Sequence, residues 1–255
     1  MNHDNETPRI PEDYVPPAGM LRDRVVLVTG AGQGLGRAVA IEAARCGATV
    51  ALLGRRQEKL EAAYDAITAA GYPKPAMIPL DLAAAGATEY ESLVQLVRRE
   101  LHRLDAIVHC AAHFVPLGPL AGQTQEQWSA LMKVNLIAPF ALTRACLALL
   151  QAAPDSSVVF VGETHGATPL AYWGGFAVAK SALPALASIW AQELEHRGKP
   201  RMSVFVPGPI ATPQRMQSHP GEDHARVRPA ESAARALLYL LGPESVNLNG
   251  RTVIL

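Results

Sequence analysis

Aromatic residues are scarce in this chain, at 5% of 255 positions, although 49% of its residues are hydrophobic. A core of that size must be built from Ala, Val and Leu, the material of tightly packed helix-on-sheet layers. Neither sign of charge is in excess: Lys+Arg and Asp+Glu are 23 each, and the net charge is +0. Nothing in that balance recommends nucleic acid or an anionic membrane as a partner. Cysteine is rare, with Cys46, Cys110 and Cys146 in no CxxC spacing. Reduced thiols in a cytoplasmic protein are the expected state. The apolar runs are broken by charge or proline before they reach bilayer length, so no membrane span is expected. No basic stretch followed by an apolar one opens the chain, and a secretory leader is not expected. No internal repeat and no second domain is visible.

Residues 1–20 are polar and Pro-rich. They read as a flexible tail, with an arm on a neighbouring subunit as the alternative. Residues 21–255 read as one domain. Arg24–Thr29 (RVVLVT) is short, β-branched and ended by glycine, the pattern of a fully buried strand. Ala48–Leu53, Ala76–Leu80, Leu104–His109, Ser157–Val161, Met202–Val206 and Arg251–Leu255 follow as strands. Helical patterns lie between them, including Arg56–Ala70, Thr124–Gln151, Phe176–Arg197 and Pro229–Leu241. Thr88-x-x-Glu91 has the spacing of a capping box. This alternation predicts an α/β fold: a doubly wound parallel sheet with helices on both faces, Rossmann-like in three layers.

Between the first strand and its helix lies Gly30-Ala31-Gly32-Gln33-Gly34-Leu35-Gly36. A helix start offers unpaired N–H groups to an anionic pyrophosphate. Glycines let backbone approach it without a Cβ. After a strand, before a helix and inside a βαβ unit, the turn predicts nucleotide binding. The second strand ends in Leu53-Gly54-Arg55-Arg56, with no acid to hold a ribose 2′-hydroxyl. Arg55 and Arg56 offer forks to a 2′-phosphate, which favours NADP over NAD. The plainer role for one of them is a solvated start to the next helix.

The Thr29-Gly-x-x-x-Gly-x-Gly36 turn, Asp81-Leu82, Asn135, Lys180 and Pro207-Gly208-Pro209 together resemble the short-chain dehydrogenase/reductase family. The resemblance covers roughly residues 21–255 and is strongest to a bacterial subgroup. It implies that Asp81 bonds an adenine amino group, with Leu82 beside it, and that Ala111 lies against the cofactor. It places Pro207 and Gly208 beside the nicotinamide, Thr212 on its carboxamide and Lys180 on the ribose hydroxyls. Residues 213–228 would be the substrate lid; their polarity and lack of helical periodicity suit a mobile loop. Dimers or tetramers are implied, through helices at Leu131–Leu150 and Phe176–Arg197 that are apolar on more than one face. The family's asparagine-bearing turn after strand four reads His109-Cys110-Ala111-Ala112 here.

The family's proton donor is a tyrosine four residues before the lysine. That position is Phe176, and the family serine thirteen residues earlier is Glu163. The tetrad therefore reads Asn135, Glu163, Phe176 and Lys180. Two functions fit it. One is an NADP-linked oxidoreductase acting weakly on an unidentified carbonyl or alcohol, with water, Glu163 or a substrate group as acid. The other is a non-catalytic dinucleotide-binding protein with a sensing, scaffolding or assembly role. Glu163 is expected ionised, paired with Lys180 or facing the nicotinamide. Tyr172 could substitute as acid, though packing is its commoner role, and His165 is expected as a solvated loop residue. Pro139 frees the Asn135 carbonyl, and Pro184 should kink the helix just past Lys180. His109 and His113 do not share a helical face, and no metal site is expected.

Overall fold

The valine-rich segment Val25–Thr29 (β1) is buried along its whole length, and it lies inside a sheet. A strand without a polar face needs cover on both sides. The alternation of its side chains provides this: Val26 and Val28 enter one core, Val25 and Leu27 the other. The computed structural model describes residues 7–11 and 13–255. Within them β1 leads to α1 (Gly34–Arg45), β2 (Thr49–Gly54), α2 (Gln57–Ala69), β3 (Ala76–Pro79), α3 (Ala87–Glu100) and β4 (Ala106–His109). Next come α4 (Gln125–Met132), α5 (Ala138–Ala152), β5 (Ser157–Val161), α6 (Thr164–Ala167), α7 (Gly174–Ser181), α8 (Leu183–Glu193) and β6 (Arg201–Val206). Then β7 (Ile210–Ala211), α9 (Pro213–Ser218), β8 (Arg228–Pro229), α10 (Ala230–Leu237) and β9 (Thr252–Ile254) complete the order.

The main sheet runs β3-β2-β1-β4-β5-β6-β9, parallel throughout. Helices α1, α2 and α10 cover one face and α3, α5 and α8 the other. The low aromatic content is explained on the first face. Ala40, Ala43 and Ala44 of α1 and Ala233 and Ala234 of α10 are fully buried where these helices meet. Strand order reverses between β1 and β4. In such a sheet the crevice for a ligand opens there, at the strands' carboxyl ends.

Several expectations are corrected. The cap of α3 is not Thr88 and Glu91; the helix starts at Ala87, and Glu89 Oε2 accepts from the N–H of Gly86 at 2.8 Å. The glycine backbone takes the N-cap place, which the Thr-x-x-Glu pattern misplaced by two residues. The lid is not without helix: α9 forms, with Thr212 Oγ1 accepting from the N–H of Arg215 at 3.2 Å and Pro213 in its first turn. β7 and β8 pair across the lid's base. The helical stretch Gln125–Ala152 is apolar and long enough, by length and composition, to cross a membrane. Lys133, Pro139 and Arg144 interrupt its apolar runs in sequence, yet the helix averages over them. It is a core element here: α5 lies on β4 and β5.

The tail expectation is also revised where the chain is described. Ile10 is 2% exposed in the main core, and its neighbour Arg9 pairs in parallel with Ile254. Residues 1–6 and 12 lie outside the described residues. The helix that begins at Gly174 is interrupted at Ala182, two residues before Pro184, where the proline was expected to disturb it.

Candidate active site

A cleft of about 590 Å³ opens at the carboxyl ends of the central strands. Register places Thr29 beside both Leu53 and His109, so the loops leaving β1, β2 and β4 converge there. Thr29 ties two of these ends together, its Oγ1 accepting from the N–H of Ala111 at 3.0 Å. The glycines between β1 and α1 are required by this closeness. Gly30 has φ +67°, and a Cβ on it would lie 2.9 Å from the Ala111 backbone. A Cβ on Gly36 would lie 2.3 Å from the Gly30 carbonyl oxygen. Gln33 is the N-cap of α1, but its side chain makes no cap hydrogen bond. The first N–H groups of the helix, at Gly34, Leu35 and Gly36, are left without a side-chain cap at the cleft wall.

The Gln33 side chain reaches instead toward the end of β2. Its Oε1 accepts from Arg56 Nη2 at 3.0 Å and from Lys59 Nζ. Arg55 lines the same wall. Two cations thus meet one amide at the edge of the cleft, and a third lines the same wall. Lys59 was not foreseen, because it belongs to the first turn of α2 and folds back over the glycine turn. The Cβ of Lys59 would be 2.7 Å from a Cβ on Gly32, so that glycine is the signal of its approach. Farther along, Asp81 and Leu82 line the cleft after β3, and Asp81 Oδ1 accepts from the N–H of Ala83 at 2.9 Å.

The opposite end is built differently. Lys180 is 6% exposed, and its Nζ donates to the Val161 carbonyl at 2.7 Å. Burial pulls its ammonium down from the ordinary 10.5 to about 8, against the charge of Glu163, which favours the protonated form. Phe176 lines the cleft beside Lys180, its ring centroid 5.7 Å from Nζ. Phe114 meets Phe176 edge-on at 5.2 Å, and Trp173 lies 6.2 Å from Phe176. Phe114 and Trp173, like Lys59, were not foreseen. They come from separate loops that only the fold brings together.

Glu163 lines the cleft but is not paired with Lys180: no ion pair within 4.0 Å joins them. The expected pairing with Lys180 is thus not made as a direct contact, although the charge of Glu163 acts on the ammonium; the alternative, Glu163 facing the nicotinamide, is untouched by this. His165 is not a solvated loop residue either; it lies in α6, its ring tilted by 38° against Trp173 with centroids 4.1 Å apart. Tyr172 is 60% exposed at φ +75° and does not line the cleft, so it neither packs nor reaches the site.

Asn135 stands behind the cleft rather than in its wall. It lies in a π turn, Lys133–Ile137, where Ala138 N–H donates to Lys133. Pro139 has no N–H to offer the Asn135 carbonyl. The side chain holds the loop after β4: Nδ2 donates to the carbonyls of His113 at 2.8 Å and Leu131 at 2.9 Å, and Oδ1 accepts from His113 N–H at 3.2 Å. His109 is buried, stacked on Phe160 at 5.1 Å, with Nε2 2.9 Å from Thr143 Oγ1. Burial pushes its pKa down to about 3, so the ring is neutral. Among the described residues no group of three His, Cys, Asp or Glu could hold a metal ion.

Pro207, Gly208 and Thr212 line the cleft between these two ends. Arg215 of α9 hangs over it, its guanidinium on the Glu222 carboxylate through two bonds of 2.7 Å. Every sequence-predicted site residue but Asn135 therefore faces one cleft.

The short chain dehydrogenase model matches residues 24–223, most of the chain. The protein belongs to the short-chain dehydrogenase family. It is 34% identical over 239 residues to the uncharacterized oxidoreductase YciK of Escherichia coli, covering 94% of each chain. A short-chain dehydrogenase structure from Pseudomonas syringae superposes with TM-score 0.92 at 38% identity, over 95% of this chain and 98% of that one. One from Shigella flexneri, solved with NADP, gives TM-score 0.90 at 32% identity, over 93% and 99%. The resemblance seen in the sequence thus holds for the family and for the oxidoreductase fold. Within a short-chain dehydrogenase this cleft is the expected seat of the cofactor and substrate.

Proposed function

We propose that this chain binds NADP(H) and serves as a short-chain oxidoreductase in which hydride transfer proceeds without a phenolic acid. The observation that carries the cofactor reading is the convergence of Arg56 and Lys59 on Gln33, with Arg55 beside them. A 2′-phosphate would meet a set of cationic donors there. The glycine turn fits the pyrophosphate, since the spaces at Gly30 and Gly36 admit backbone and nothing more. Asp81, Leu82 and Ala111 would hold the adenosine side, and Pro207, Gly208, Thr212 and Lys180 the nicotinamide side. The relative from Shigella flexneri, solved with NADP, supports the same choice.

When bound, the nicotinamide supplies or accepts a hydride at carbon. This chain must then supply or accept the proton at the substrate oxygen. Phe176 can do neither, and an aromatic group packs around it beside the lysine. Lys180, held by Val161, remains as a fixed positive charge near the reacting atoms. Asn135 keeps the His113 loop in place. Glu163, water or a group on the substrate is left as the acid. Turnover of simple carbonyls is accordingly slow, because loss of a positioned general acid costs about 10²–10⁴-fold. The second reading, a dinucleotide-binding protein without turnover, is favoured by the full burial of Phe176 at 2% exposure.

The protein is taken to be cytoplasmic, in keeping with its free cysteines. It is also taken to self-associate through the α5–α8 side, where Ile137, Phe140 and Ile189 stay exposed beside Trp190.

The test has two parts. Fluorescence titration with NADPH and NADH should show tight binding of the first and weak binding of the second; equal affinities would end the phosphate reading. A carbonyl panel should then be assayed with the wild type and with a Phe176→Tyr, Glu163→Ser variant. Turnover only in the variant supports the binding protein, and slow turnover in the wild type that the variant raises supports the oxidoreductase.

A further inference from the structure

We propose that the nicotinamide end of the cleft takes an organic cation, an iminium ion bearing an N–H, as its substrate; this substrate class rests on the NADP(H) oxidoreductase reading. Lys180, Arg215 and Glu163 bring charge to that end. The two cations are already engaged. Lys180 Nζ donates to the Val161 carbonyl, and the Arg215 guanidinium lies on Glu222. Glu163 is half-buried at the start of α6 and makes no side-chain cap bond to that helix. Among the described residues its carboxylate has no ion pair within 4.0 Å. It is therefore an acceptor left open in the cleft wall. Two residues on, the ring of His165 lies 4.1 Å from that of Trp173, so the segment carrying Glu163 is set against the aromatic rings. Phe114, Trp173 and Phe176 belong to an apolar cluster of their own, apart from the two sheet cores, and all three line the cleft.

An ionised carboxylate accepts hydrogen bonds and gives none. A ketone oxygen also only accepts, so the two do not match. An iminium N–H is both a donor and part of a cation. The carboxylate suits the first property and the ring faces suit the second. The same choice accounts for Phe176. Reduction of a ketone needs a proton at oxygen, which a phenyl ring cannot supply. Reduction of an iminium ion needs none. Its carbon accepts a hydride, with the electron pair, from the reduced nicotinamide, and a C–H bond forms there. The π pair of the C=N bond becomes the lone pair of a neutral amine, and NADPH is oxidised to NADP. One positive charge passes from substrate to nicotinamide, and no proton is drawn from the protein. Glu163 acts in this step as a counter-ion that orients the N–H, and the missing phenol costs nothing.

The first test is binding, by calorimetry on the full chain without cofactor. 2-Methylpyrrolidine, a cyclic ammonium ion at neutral pH, should bind about tenfold tighter than its neutral counterpart 2-methylcyclopentanol. Glu163→Gln keeps the shape, removes the charge and should erase that preference. The second test is NADPH consumption above the enzyme-free rate. 2-Methyl-1-pyrroline should be reduced about a hundredfold more efficiently than 2-methylcyclopentanone, because only the ketone needs the missing acid. Glu163→Gln should narrow that ratio about tenfold. Absence of an ammonium preference, or a preference that survives Glu163→Gln, overturns the cation site. Ketone reduced as well as imine ends the iminium assignment and leaves the oxidoreductase reading standing. Ammonium binding that depends on Glu163, with neither compound reduced, ends the iminium step and favours the dinucleotide-binding reading. Failure of the cofactor reading itself is seen separately, as no binding of NADPH, and the iminium step falls with it. Melting of each variant reports its fold; if Glu163→Gln does not fold, Glu163→Ser decides in its place.

Discussion

At one end of the cleft Gly30, Gly34 and Gly36 leave the backbone bare, while Arg56 and Lys59 reach in from the surface. At the other end Phe114, Trp173 and Phe176 fill the space, and Lys180 is buried beneath them. The first end is polar and complementary to an anion. The second is apolar where a proton must move. Binding and chemistry place different demands on a site, and in this molecule they are met unequally. A dinucleotide is held by backbone N–H groups and surface cations, which survive changes at a distance. Proton transfer depends on one hydroxyl at one place.

The comparison is broken most forcefully by supplying that hydroxyl. Phe176→Tyr with Glu163→Ser should raise carbonyl turnover by about 10²–10⁴-fold, read from NADPH consumption. Unchanged turnover would mean that the aromatic end is not where the reaction occurs. Next in size is Gly36→Ala. The added methyl would meet the Gly30 carbonyl at 2.3 Å. NADPH affinity should fall by about a hundredfold, or the turn must shift and the melting temperature drop. Lys59→Ala should weaken NADPH about tenfold and leave NADH unaffected, since it removes a charge-assisted donor from the phosphate wall alone. An equal loss for both cofactors would move Lys59 out of that role.

Protonation sharpens the contrast further. The folded Lys180 titrates near pH 8 and the unfolded one near 10.5. Between those values the unfolded chain holds more protons, so stability should rise as pH increases from about 8 to 10.5. Over the same range any function that uses the ammonium should decline. Lys180→Met should remove both trends in melting and turnover profiles. His109 acts at lower pH: its folded pKa near 3 lies below the unfolded 6.5, so stability should fall as pH drops from 6.5 toward 3. The smallest effect expected is for Thr143→Val, which takes the partner from His109 Nε2 and should cost about 1 kcal/mol in denaturant melts.

The sequence made the binding end legible because it is written locally. A strand, a glycine turn and a helix succeed one another within Val25–Arg45, and spacing alone declares them. Counting back from Lys180 finds Phe176 and Glu163 by the same kind of local rule. Lys59, Phe114 and Trp173 were not legible, since each reaches the cleft from a different segment and none has a pattern of its own. The direct contact expected as one alternative between Glu163 and Lys180 is not made, and the bond the ammonium does make, to a backbone carbonyl, is invisible in a sequence. The helix of the lid had a local signal in Thr212-Pro213, outweighed by the polar run after it. The burial of Ile10 had none, because its partner strand is the last in the chain.

The π turn at Lys133–Ile137 has a consequence for how this helix tolerates change in length. A π turn carries one residue more than an α turn of the same rise. Deleting a single residue there would let the helix close regularly, without a gap in the chain. It would also rotate Asn135 by about 100° relative to one flank. The three hydrogen bonds that join Asn135 to His113 and Leu131 could not all survive that rotation. A change that is harmless to the helix as a helix would therefore release the loop that forms one wall of the cleft.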